Sequence, residues 1–179
     1  MRTLETERLV LRLFRETDLE DFYAYASEEG VGVHAGWPRH ESIEESRRIL
    51  SSFIVNGDVY AIVDKETGRV IGSVGVHERS FEGVPGKQRE IGYVLKKSYW
   101  NRGLTTEAVR AVIHYLCTET DITVLWCSHY DYNTRSQRVI EKCGFKYCVT
   151  EMKEAPLLGK TFRSLRYILT KEDYLSKSH

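Results

Sequence analysis

EIGYVLKKSYWNRGLTTEAVRAVIHYL, running from Glu90 to Leu116, is the stretch that decides the fold. Glu90, Gly92 and Val94 share one face of a strand, and Ile91, Tyr93 and Leu95 share the other. A glycine inside a strand, here Gly92, marks a bulge or a close approach by a ligand or another backbone. Trp100-Asn101-Arg102-Gly103-Leu104-Thr105 then supplies a sharp turn, with Gly103 at the bend. Leu104, Ala108, Ala111, Val112 and Tyr115 recur at helical spacing. A strand that feeds directly into a helix leaves backbone N–H groups unpaired at the turn. Those donors, at the positive end of the helix dipole, suit a phosphate. An ordinary strand–turn–helix unit without a ligand has the same pattern.

On the N-terminal side, Arg8–Phe14 alternates, with Leu9, Leu11 and Leu13 on one face. Thr17 with Glu20 reads as a capping box that opens a helix, and Ser42 with Glu45 opens a second one. Between them the 28–41 loop carries His34, Trp37 and His40 among four glycines and prolines. Strands over 58–64 and 70–78 are joined by the KETGR turn, with Gly68 free to take a positive φ. The 80–88 loop carries Phe81. On the C-terminal side a β-rich run at 122–130 precedes a helix at 133–142 closed by Gly144. Strands at 145–152 and 163–169 follow, with a Pro/Gly loop between them. The order β-α-α-β-β-β-α-β-α-β-β predicts a mixed, largely antiparallel seven-stranded sheet. Its helices lie on both faces, with one parallel crossover at the opening stretch.

At 179 residues the chain reads as one domain, 1–179. Lys+Arg and Asp+Glu number 26 each, a balance that argues against a surface built to grip nucleic acid or anionic lipid. Cys117, Cys127, Cys143 and Cys148 form no C-x-x-C pair and no zinc spacing, so reduced thiols and no metal are expected. No apolar run approaches the ~20 residues that span a bilayer, and the N-terminus is charged where a signal peptide is apolar. A cytoplasmic protein, monomer or homodimer, is the expectation.

A second block changes the weight of the first. NTRSQRVIEKCGF, Asn133 to Phe145, follows the next strand. EIGY…YWNRGLTTEA followed by NTRSQRVIEKCGF resembles the GNAT superfamily of N-acetyltransferases. Within it, LETERLVLRLFRETDLEDFY resembles the ribosomal-protein acetyltransferases RimJ and RimL. The resemblance implies an α/β (α+β) GNAT-like fold with a splayed central strand pair, and acetyl-coenzyme A as co-substrate. It implies that Asn101, Arg102, Gly103, Leu104, Thr105 and Thr106 hold the pyrophosphate, with Thr105 in place of the family's small residue. It further implies that Val94, Leu95 and Lys96 line the gap for the pantetheine arm. A backbone N–H near Val94 or Leu95 would then be the oxyanion donor, and Asn133 would bond the arm.

Acetyl transfer needs a neutral amine, and a free alkylamine has a pKa near ~10. Glu90, beside the thioester, reads either as the general base or as an ion-paired glutamate. Ile140 stands where many family members carry a tyrosine acid. Ser136 reads either as a substitute acid or as a small residue that fits beside the cofactor. By analogy with the family, His34, Trp37 and Phe81 read either as the acceptor contacts or as incidental aromatics of solvent-exposed loops. The expected acceptor is an amine-bearing small molecule or a peptide N-terminus. The rival reading is a non-catalytic acyl-coenzyme A sensor on the same fold.

Overall fold

The structure, a computed structural model, describes residues 1–177. Strands β1 (Leu4–Glu5), β2 (Leu9–Leu13), β3 (Val59–Asp64), β4 (Val70–Glu78), β5 (Gln88–Leu95), β6 (Val124–Tyr130), β7 (Lys146–Ala155) and β8 (Lys160–Thr170) form one sheet. Helices α1 (Leu19–Ala26), α2 (Ile43–Asn56), α3 (Leu104–Glu119), α4 (Thr134–Lys142) and α5 (Lys171–Ser176) surround it. The strand order is β1-β2-β3-β4-β5-β6-β8-β7, and only β5 and β6 pair in parallel. The sheet therefore has eight strands where seven were expected. The extra one, β1, is two residues pairing with Val10 and Leu11, too short to leave a periodicity in the sequence.

Alternation fixes two cores. Leu9, Leu11, Ile62, Ile71, Ile91 and Leu95 point to one face, where α3 supplies Leu104, Ala108, Val112 and Leu116. Val59, Ala61, Val63 and Val70 point to the other, where α1 and α2 supply Phe22, Tyr25 and Leu50. Leu13 leaves this pattern: it ends β2 and is 36% exposed. The start of α1 also differs from expectation. Glu16–Asp18 form a single 3-10 turn, and buried Asp18, not Thr17, takes the Arg15 N–H at 2.8 Å. Arg12, on the neighbouring strand, binds the same carboxylate at 2.8 and 2.9 Å, which makes it the stronger acceptor. Ser42 caps α2 as expected, accepting from the Glu45 N–H at 3.2 Å. The expected Pro/Gly loop before β8 is one 3-10 turn, Pro156–Leu158.

Candidate active site

β5 and β6 pair only from Gln88–Val124 to Glu90–Trp126. Beyond Glu90 the strands part, and the gap opens into a cleft of about 1000 Å³ that passes through the sheet. The side of β5 that faces this gap follows from its hydrogen bonds. The Lys96 N–H donates to Ile71 of β4 at 2.8 Å, whereas the Lys87 carbonyl accepts from Thr123 and Val124 at 2.9 and 3.2 Å, next to β6. Backbone groups alternate sides along a strand, and the β4–β5 register runs unbroken from Leu95 to Arg89. Tyr93 and Leu95 thus turn their N–H groups to the gap. Val94 and Lys96 turn theirs to β4. The Leu95 carbonyl is already held by the Trp100 indole N–H at 2.7 Å.

The turn after β5 meets the same cleft through Asn101, Gly103, Leu104, Thr105 and Thr106. Asn101 at φ 60 and Gly103 at φ 75 bend the chain into α3. Asn101 is the only non-glycine with positive φ among the described residues, a conformation asparagine tolerates better than most side chains. Among the described residues no side chain caps α3, and Glu107 is the first residue whose N–H bonds back, to Gly103 at 3.0 Å. The Leu104, Thr105 and Thr106 N–H groups are therefore the unpaired donors of the first turn. The Arg102 side chain does not line the cleft: its guanidinium lies 5.1 Å from the Tyr99 ring.

Sequence reading missed what braces this turn. Glu107 accepts from Thr6 Oγ1 at 2.6 Å, the Arg8 N–H at 2.9 Å and Arg8 Nε at 2.8 Å. Arg8 in turn donates to the Arg102 carbonyl at 2.9 Å. Burial works to raise the Glu107 pKa, but the Thr6 and Arg8 hydrogen bonds outweigh it and hold the carboxyl below its usual range. An acid in the first turn of a helix was the available signal.

α4 brings the second block to the gap. Asn133 caps it, accepting from the Ser136 N–H at 3.3 Å, which leaves the Asn133 side-chain NH2 for a ligand. The Ser136 Oγ lies 2.8 Å from the Tyr93 hydroxyl, which also donates to the Ser136 carbonyl at 3.2 Å. Burial pushes the Tyr93 phenol well above its ordinary pKa. In the sequence Tyr93 stands out only as a strand residue. Arg135 stacks on Trp100, 3.5 Å from the ring centroid, and Arg138 and Lys142 also line this side. Ile140 is 1% exposed and belongs to the core.

On the opposite face Glu90 lies in the floor of the cleft. Its Oε1 accepts from Ser128 Oγ at 3.2 Å and lies 3.8 Å from Lys153 Nζ; its Oε2 lies 3.7 Å from Arg79 Nε. His34 and Trp37 line this half. The His34 ring sits between Trp100 and Tyr132, with Nδ1 buried and without a hydrogen-bond partner among the described residues. Burial, then Arg135 and Lys97, lower its pKa. Trp37 packs 5.2 Å from His40, whose Nδ1 is 2.7 Å from Ser46 Oγ. Phe81 is not brought to the cleft. It packs 4.7 Å from Trp126 with the Arg166 guanidinium 3.6 Å above its ring, because the 80–88 loop folds down onto β6. No group of three or more His, Cys, Asp or Glu side chains among the described residues is placed to hold a metal ion.

Residues 8–146 match the family model described as "Acetyltransferase (GNAT) domain". An uncharacterized N-acetyltransferase of Bacillus subtilis, YoaA, is 27% identical over 80% of this chain and 82% of its own. A GNAT-family acetyltransferase from Bacillus anthracis shares the fold at a TM-score of 0.84 and 23% identity, over 96% of this chain and 99% of that one. The ribosomal-protein-S5-alanine acetyltransferase of Vibrio fischeri does so at 0.77 and 19%, over 97% and 99%. A strand pair that parts beside an uncapped helix start is thus combined with a family match over most of the chain. The chain belongs to the GNAT acetyltransferase family and is an N-acetyltransferase with acetyl-coenzyme A as its co-substrate.

Proposed function

We propose that the chain moves an acetyl group directly to a primary amine, with both substrates bound together. The acceptor is a protein N-terminus or a small amine. The observation that carries this is the end of β5–β6 pairing at Glu90, which joins a carboxylate on one side of the sheet to a donor-lined gap on the other. The site residues fit the co-substrate. The Leu104, Thr105 and Thr106 N–H groups, with Arg135, Arg138 and Lys142 nearby, suit its phosphates. The Asn133 NH2 and the gap-facing N–H groups of β5 suit an extended amide-bearing arm. When bound, acetyl-coenzyme A supplies an acetyl thioester. The Leu95 or Tyr93 N–H then donates to the carbonyl oxygen as charge develops on it. Glu90 accepts the proton of the ammonium, and Ser136 holds a proton for the departing sulfur.

Within the family we assign the chain to the branch resembling RimJ and RimL, a cytoplasmic enzyme acting as monomer or homodimer. The Vibrio fischeri likeness supports that branch through the fold alone. Initial rates of thiol release, with acetyl-coenzyme A and an amine both varied, test the reading. Intersecting lines are expected, and Glu90→Gln should lower kcat most at low pH. Parallel lines would contradict direct transfer. Tight coenzyme A binding with no turnover on any amine would make the chain a sensor instead.

A further inference from the structure

We infer that the acceptor is a zwitterion, a small amine that carries a carboxylate close to its nitrogen, which narrows the two acceptor classes proposed above to the small amine. The inference rests on the transferase reading above and on Glu90 as the group that meets the amine. Both carboxylate oxygens of Glu90 already face a cation: Lys153 at 3.8 Å and Arg79 at 3.7 Å. Neither contact is at hydrogen-bond distance, and the Lys153 and Arg79 side chains are 39% and 47% exposed, against 19% for Glu90. The two cations are therefore the more accessible groups, and the carboxylate is the more buried one, held also by Ser128.

A plain ammonium approaching Glu90 meets two like charges around one opposite charge, and a polycation meets the same repulsion several times over. Arg48, an exposed cation, also lines this half. The other acid of this half, Glu45, turns one oxygen to the Glu41 N–H at 3.0 Å. An acceptor bearing its own carboxylate removes the conflict. Its anion takes Lys153 and Arg79 while its ammonium takes their place at Glu90, so every charge stays paired as water leaves. Specificity then follows from the exchange of partners, because an amine without the anion leaves an unmatched positive charge in the cleft.

The test compares α-amino acids with their carboxamides, and with simple diamines, as acceptors for the wild-type chain. A kcat/KM at least about tenfold higher for the carboxylate member of a pair is expected, with diamines poorest. Lys153→Gln combined with Arg79→Gln should bring that ratio within about threefold of one. Equal or better rates with the carboxamides or diamines would overturn the inference while leaving the transferase reading intact. If coenzyme A binds by calorimetry but no amine of any class is acetylated, the transferase reading falls, and this inference with it.

Discussion

The hydroxyl of Tyr93 on β5 lies 2.8 Å from the Oγ of Ser136 in the first turn of α4, across the gap between the parted strands. Ser136 is thus not a free serine at a helix start. Its hydroxyl has a buried phenol as partner, and burial keeps that phenol protonated far into the alkaline range. Tyr93→Phe should lower kcat, by about tenfold if Ser136 holds the proton for the leaving sulfur. Ser136→Ala added to Tyr93→Phe should then cost little more, because the two act as one unit. Additive losses in the double mutant would show that the pair does not work together. Thermal unfolding of each variant separates this from a loss of folding.

Glu107 ties the phosphate turn to the N-terminal hairpin through Thr6 and Arg8, with its side chain 18% exposed. Glu107→Ala leaves the Arg8 guanidinium without its main partner and should lower stability by about 2 kcal/mol. Its folded pKa is depressed, so its contribution is present above its ordinary value and is lost as pH falls through the folded one. Urea unfolding at pH 7 and at pH 3.5 should show a smaller difference between wild type and variant at the lower pH.

His40 is buried against Phe22 and Trp37, and burial lowers its pKa, with Glu45 opposing. The unfolded chain binds a proton near the ordinary value of about 6.5, while the folded chain resists until a lower pH. Stability should therefore fall as pH drops from about 6.5 towards the folded value, and His40→Gln should flatten part of that slope. A Tm that is equally pH-dependent in the variant would remove His40 from the account.

The strand–turn–helix at Glu90–Leu116 was legible because each of its features is local. Alternation set the strand, Gly103 the bend, and a helical stripe the face of α3. The second block was legible for the same reason, since Asn133 and Gly144 mark the ends of α4. Non-local partners were not. Lys153 reaches Glu90 from a hairpin at the far end of the chain, and Arg8 reaches Glu107 from the other end. Phe81 faces Trp126 instead of the cleft, and an aromatic in a loop carries no periodicity to say which way it faces. Val94 and Leu95 both looked like gap donors because the register that separates them is set by β4, which their own stretch does not contain.

Residue-resolved amide hydrogen exchange, with and without coenzyme A, tests the central claim most directly. The gap-facing N–H groups of Tyr93 and Leu95 and the first-turn N–H groups of Leu104, Thr105 and Thr106 should slow on binding. Val94 and Lys96, already paired with β4, should change little. Saturating coenzyme A that leaves those five amides unprotected would contradict the assignment of this gap and turn as its site.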